Sequence, residues 1–353
     1  MFALHSQIKN SRYAKFSSHS LAEKSLYFFI IFSSLFSPTI FGEDYFLNKQ
    51  KKYAALSPTN FVNKNATPAF HTNIPYVISY SSQISNPSSF LNRTLVSNNK
   101  AYSFYIQGGL HGNEKLTVDF VLWLAERVQS KSSLINLLDK YHINIDFKPI
   151  ANPFGYANSL RYNENAVNLN RNFGVNWGLS RENPGQKAFS EKETQKIQNT
   201  FEQKRYLAAI DVHGYANMIV MPSFPRNIEK NSPISEKVRD LENWLGLVKK
   251  RLSLLPSANY KIKTALDLGD GGSFEDWAFW QKDSYALCLE MLTPERHFSK
   301  ANDRPANTND TFLAYEKYLY FIFKDAISLE EKRQERLQPY FTFETKLSGS
   351  WLN

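Results

Sequence analysis

Five short apolar runs, spaced so that helix-length segments fit between them, set the limits on what this chain can fold into. They lie near Tyr76 to Tyr80, Tyr102 to Gln107, Ile143 to Ile150, Tyr206 to Val212 and Tyr285 to Met291, and each reads as a strand. The segments between them read as helices. Glu114 to Val128 places Leu116, Val118, Phe120, Val121, Leu124 and Val128 mostly on one face at helical spacing. Ser190 with Glu193 predicts a capping-box start for a helix ending near Phe201, Ser235 to Leu252 is amphipathic, and Thr311 to Arg336 is a final long segment that turns strongly charged after Ser328. Parallel neighbours need a crossover of helix length. The pattern therefore predicts an α/β fold, a single domain with a mixed, mostly parallel central sheet covered by helices on both faces. In such sheets functional groups collect at the carboxyl ends of the strands.

Composition narrows the chemistry. The 353-residue chain is 42% hydrophobic and 21% charged, too apolar for disorder, and its Gly and Pro follow no period that a collagen-like or solenoid chain would need. A lone cysteine, Cys288, excludes a disulfide framework and a Cys-based zinc finger. Any metal must use His and carboxylate ligands.

The first 42 residues differ from the rest. Lys9, Arg12, Lys15 and Lys24 precede an apolar run from Leu26 to Phe36, followed by Ser37, Pro38 and a cut site after Gly42. That is the layout of a secretory signal peptide, so residues 1–42 predict export to the periplasm or the medium, with an uncleaved N-terminal anchor as the other reading. Residues 43–73 are polar and interrupted by Pro58 and Pro68, a lead-in or linker; the folded domain is expected over 74–336 and a C-terminal tail over 337–353. Removing the four basic and one acidic residues of the leader takes the formal charge from +9 to +6. The remaining Lys and Arg are interspersed with acids, so no nucleic-acid partner is expected, and membrane contact is expected only if the N-terminal segment stays attached.

The run from Tyr102 to Gln107 leads into Gly108-Gly109-Leu110-His111-Gly112-Asn113-Glu114, where a strand end turns into a helix. His111 and Glu114 sit three apart, close enough to share one ion. The run ending at Val212 also delivers a histidine, within Asp211-Val212-His213-Gly214. Two histidines and a glutamate from two strand ends make the set typical of catalytic zinc, with a fourth position left for water or substrate. A His-x-x-Glu pair alone reads first as a helix-start glutamate beside a core histidine. Asp211 shares a strand face with His213 and either orients that ligand or is a solvated strand-end acid.

Further blocks follow in order: Asn152-Pro153-Phe154-Gly155, then Arg161, then Asn168-Leu169-Asn170-Arg171-Asn172-Phe173, then Gly271-Gly272-Ser273-Phe274-Glu275-Asp276-Trp277, then Leu289-Glu290 on an apolar strand. Together they resemble the zinc carboxypeptidase family, the carboxypeptidase A-like metallopeptidases, over about Ile74 to Phe323. The resemblance implies one Zn2+ per chain held by His111, Glu114 and His213, with Glu290 as general base toward the attacking water. It also implies Arg161 as the group polarising the scissile carbonyl, and Asn170 and Arg171 gripping the substrate's terminal carboxylate. Zinc acidifies water, a carboxylate relays its proton, and a fixed cation meets the developing oxyanion, so the chemistry suits these roles.

Three positions depart from the family pattern. Phe154 replaces an aspartate in a turn, Asn168 stands where many members have an aspartate supporting a zinc-bound histidine, and the substrate-capping tyrosine has no counterpart, Tyr260 being the nearest upstream. Asp267, Asp270, Glu275 and Asp276 crowd acids into a segment that helps line the side-chain pocket in the family, and any that faces it would favour an amine on the substrate. The expected function is an exported zinc-dependent carboxypeptidase hydrolysing an amide bond next to a free carboxylate in a peptide or muropeptide, with peptidoglycan stem peptides the candidate substrate. The alternatives are an N-acyl amino acid deacylase of the succinylglutamate desuccinylase or aspartoacylase type, and a catalytically inactive binding module.

Overall fold

Hydrogen bonding among seven strands organises the described residues. A computed structural model describes residues 78–80, 103–130, 132–225, 234–292 and 308–349, all within the unit Tyr53–Asn353. The reading of residues 1–42 as a signal or anchor, and of 43–73 as a lead-in, lies outside the described residues. Among the described residues no helix is long and apolar enough to cross a membrane.

In chain order the elements are β1 (Ile78–Tyr80), β2 (Ser103–Gly108), α1 (Lys115–Ser130), α2 (Ser133–Tyr141), β3 (Asn144–Lys148), α3 (Pro153–Asn158), a 3-10 turn (Leu169–Arg171), α4 (Lys192–Gln203), β4 (Tyr206–Gly214), β5 (Met218–Met221), α5 (Ile234–Arg251), β6 (Lys261–Thr264), α6 (Phe274–Trp280), β7 (Tyr285–Met291) and α7 (Thr308–Gly349). The strands lie side by side as β1-β3-β2-β4-β7-β5-β6. Pairing is antiparallel at β1–β3 and β5–β7 and parallel at the other four junctions. The sheet is thus mixed and mostly parallel, as the spacing of apolar runs predicts. All five expected strands are present; β5 and β6 were not expected. Each is only four residues long, and β6 alternates exposed Lys261 and Lys263 with half-buried neighbours at the sheet edge, so no apolar run announces it.

Register divides the sheet into two unlike faces. One carries Phe104, Ile106, Ile210, Val212, Leu287 and Leu289, all fully buried. There Phe104 stacks on Phe323 of α7 at 4.1 Å, and Trp244 of α5 donates its indole N–H to Ala286 O at 3.0 Å. Phe120 of α1 meets α7 through Phe312 and Tyr315, completing the layer. The other face carries Gln107, Asp211 and Cys288 in one row and His213 and Glu290 in the next. Toward its amino end an aromatic cluster, in which Tyr105 contacts Phe201 of α4 at 5.0 Å and Phe274 of α6 at 5.9 Å, seals it from water. The polar row of His213 and Glu290 lies toward the carboxyl end.

The capping box read from Ser190 and Glu193 does not form. The N-cap of α4 is Glu191, and the start of the helix is held from a distance: Asn172 Oδ1 accepts from Glu191 N at 3.2 Å and from Thr194 Oγ1 at 2.6 Å. The Ser190 hydroxyl instead donates to Glu191 Oε1 at 2.7 Å. Helix α2, also unexpected, starts at Ser132, whose Oγ accepts from Ile135 N, and ends at His142 with φ of 53°. The backbone of α7 continues without a break past residue 336, so the expected tail begins as more of the same helix.

Phe323→Ala should destabilise the protein by about 3 to 5 kcal/mol, the usual cost of emptying a buried aromatic site, read as a lower urea midpoint at unchanged slope.

Candidate active site

Close backbone packing builds the turn that follows β2. Gly109 takes φ of +64°, and Thr117 Oγ1 accepts its N–H at 3.0 Å. A Cβ on Gly112 would lie 1.9 Å from the carbonyl carbon of Gly155, so only glycine lets this turn seat on the start of α3. That start is fixed in turn by Asn152, whose Oδ1 accepts from Gly155 N at 2.9 Å, with Pro153 in the first helical turn. The Phe154 departure therefore leaves the turn intact. His111 and Glu114 flank Gly112 and point to one focus.

His213 arrives at that focus from the end of β4. Glu114 Oε1 lies 2.8 Å from His111 Nδ1, Glu114 Oε2 lies 3.1 Å from His213 Nδ1, and the two Nδ1 atoms are 3.0 Å apart. All three residues are buried, and their ligand atoms fall within 4.8 Å of one another. Each imidazole is held from behind: His111 Nε2 by Asn168 Oδ1 at 3.0 Å, His213 Nε2 by Asp211 Oδ2 at 2.9 Å. Outward nitrogens engaged and inward nitrogens converging is the arrangement that ligating histidines need. Two imidazoles and one carboxylate fit zinc in a site that keeps an open position. Asp211 is thus an orienting group, fully buried, rather than a solvated acid. Burial works against ionising Glu114, but the two imidazoles outweigh it and hold its carboxyl well below the usual range. Burial likewise pushes His213 down, while Asp211 and Glu114 together hold it well above an ordinary histidine.

Glu290 is the register partner of His213 on β7 and faces the same way. Burial raises its carboxyl to about 7, against the pull of His213 and Arg161, and its Oε2 is buried with no hydrogen-bond partner among the described residues. Arg161 reaches in from the loop after α3. Its Nη1 lies 3.0 Å from His111 Nδ1 and 3.6 Å from Glu114 Oε1.

A family model described as zinc carboxypeptidase matches residues 77–319. The chain belongs to the zinc carboxypeptidase family. It is accordingly a metallocarboxypeptidase, a hydrolase. Among solved structures, bovine thrombin-activatable fibrinolysis inhibitor in complex with tick carboxypeptidase inhibitor is similar at TM-score 0.56 and 16% identity, over 81% of this chain and 96% of that one. Carboxypeptidase A from Helicoverpa armigera gives 0.53 and 17%, over 82% and 72%. A metallo-carboxypeptidase from Burkholderia cenocepacia gives 0.52 and 14%, over 78% and 67%. At these identities the likeness shows the shared fold. No curated protein matches in sequence.

The zinc carboxypeptidase blocks differ in how freely their side chains face the focus. Asn170 Nδ2 lies 3.5 Å from His213 Nε2, while its Oδ1 accepts from Phe274 N at 2.9 Å, tying the 3-10 turn to α6. Arg171 is turned to Asp270 at 2.6 Å and to the Asn170 carbonyl at 2.8 Å. Of the clustered acids, Asp267 accepts from Thr264 N within its own turn, Asp270 pairs with Arg171, and Asp276 accepts from Ser223 N and Asn176 Nδ2. Glu275 is buried, and burial with the nearby Asp276 pushes its carboxyl above the usual range. Tyr260 donates into the protein, toward the Glu290 carbonyl at 3.2 Å, with Tyr315 OH 2.6 Å away; it does not cap the site. Glu182, which hydrogen-bonds to both Asn168 and Arg161, was missed. It lies in a polar stretch, Ser180-Arg181-Glu182-Asn183, where no local pattern distinguishes it.

Asp211→Asn should keep the fold but weaken zinc binding about 10- to 100-fold, the usual effect of disturbing a ligand's outer partner, measured by chelator competition.

Proposed function

We propose that this zinc carboxypeptidase family member is an exported enzyme that hydrolyses the amide bond next to a free terminal carboxylate, acting on stem peptides of peptidoglycan. One observation supports the reaction: a three-ligand metal set, the half-buried carboxylate of Glu290, whose Oε2 has no hydrogen-bond partner among the described residues, and a guanidinium on Arg161 meet at the carboxyl end of the sheet. His111, Glu114 and His213 would hold zinc, which when bound supplies Lewis acidity toward a carbonyl and lowers the pKa of water.

The chain's own groups supply the rest. Glu290, held near neutrality by burial, accepts a proton from the attacking water and passes it to the leaving amine, a task best done by a base whose pKa lies near the working pH. Arg161 Nη1 donates to the oxyanion that develops on the scissile carbonyl. Asn170 and Arg171 hold the substrate's carboxylate, the guanidinium turning part of its fork from Asp270 to the incoming group. The choice of cell-wall peptides rests on the export-type layout of residues 1–42, since an exported hydrolase meets them.

His213→Ala should abolish zinc binding, and Glu290→Gln should keep zinc while lowering kcat by about 10² to 10⁴ fold. Near-normal turnover by Glu290→Gln would remove the general base. Muropeptides and plain peptides, each with the terminal carboxylate free or amidated, should be cleaved only when it is free; indifference to amidation would discard the exopeptidase reading, and rejection of muropeptides would discard the substrate.

A further inference from the structure

The loop between the 3-10 turn and α4 is laced to the segment that carries Asn168. Asn168 N donates to Asn183 O at 3.0 Å, Asn183 Nδ2 to Ala166 O at 3.0 Å, and Asn172 Nδ2 to Pro184 O at 2.7 Å. This lacing fixes Glu182 between two functional side chains. Its carboxylate accepts from Arg161 Nε at 3.2 Å and Nη2 at 3.3 Å, the paired bonds of a guanidinium fork, and Oε2 also accepts from Asn168 Nδ2. With that edge of the guanidinium engaged, the remaining nitrogen, Nη1, is the one that faces His111 and Glu114.

The orientation of the Asn168 amide follows from its partners. Its oxygen meets both His111 Nε2 and the N–H of Asn170 at 3.0 Å, so its NH2 must be the side toward Glu182. A carboxylate thus acts on the imidazole through one intervening amide.

We infer that Glu182 is a positioning residue for the hydrolysis proposed above: it aims Arg161 Nη1 at the reacting carbonyl and supports His111 as a metal ligand through Asn168. The inference rests on that reading of the site. Glu182 and Arg161 are each about a third exposed, their side chains at 32%, so their ion pair adds little to folding stability. A purely structural role and a positioning role therefore predict different things.

The test is Glu182→Gln and Glu182→Ala in the zinc-loaded full chain. Both should melt within a few degrees of wild type, yet bind zinc about tenfold more weakly and lose about 10- to 100-fold in kcat with little change in KM. Glu182→Gln should add no further loss of kcat to Arg161→Ala, and no further loss of zinc affinity to Asn168→Ala. Zinc affinity and kcat within twofold of wild type, or losses that add independently, would overturn the inference. Should wild type bind no zinc, the functional reading fails separately, and exchange of the His111 Nε2 proton by NMR still decides the geometry. It should be at least several-fold faster in Glu182→Ala, and an unchanged rate overturns the role.

Discussion

Two pieces of backbone with no side chains between them set the geometry of this site. Gly112 lies against the peptide joining Gly155 and Tyr156 so closely that a methyl group would fall inside both atoms. Gly272, at φ of +73°, packs the same way, its missing Cβ 2.2 Å from the carbonyl oxygen of Arg171. The first contact fixes the turn bearing two metal ligands on the start of α3. The second fixes the loop before α6 on the turn bearing Asn170 and Arg171. Adding even one carbon in such packing costs about 1 to 3 kcal/mol and moves whatever is attached. The positions of side chains far apart in sequence are thus set by main-chain contact, which cannot change rotamer.

Around that frame the charges are sorted rather than merely paired. Glu114 lies between two imidazoles and stays ionised, while Glu290, the register partner of His213 on the neighbouring strand, rises to about 7 through burial, its Oε2 having no hydrogen-bond partner among the described residues. Two carboxylates pushed apart in this way can hold different roles, one as ligand and one as proton carrier. Asp211 and Asn168 stand behind the histidines, one as a direct carboxylate and one as an amide passing on the charge of Glu182. The apolar face of the sheet permits this arrangement, because it supplies the rigid packing on which an expensive polar cluster can be held.

Strands with apolar runs and helices with an apolar stripe were legible because their signal is local and periodic. So were His111, Glu114 and His213, since each sits where a strand ends. The role of Asp211 could be narrowed but not decided, because period two places it on the right face without saying what stands opposite. β5 and β6 were illegible for want of length, and the start of α4 was misread because its acceptor, Asn172, lies some twenty residues upstream. Glu182 belongs to the same class: its function comes from loops that meet only after folding, and no residue near it in sequence marks it.

Cys288 lies one row below Glu290 and beside Asp211 in the centre of the sheet. It is the chain's single thiol, 2% exposed, and burial with the neighbouring acids pushes it well above an ordinary cysteine. A thiolate is the reactive form, so this sulfur is doubly shielded, by access and by ionisation. An alkylating reagent can meet it only when the strands around it part. The rate of its modification therefore measures how often the middle of the sheet opens, giving the protein a built-in clock for its own breathing.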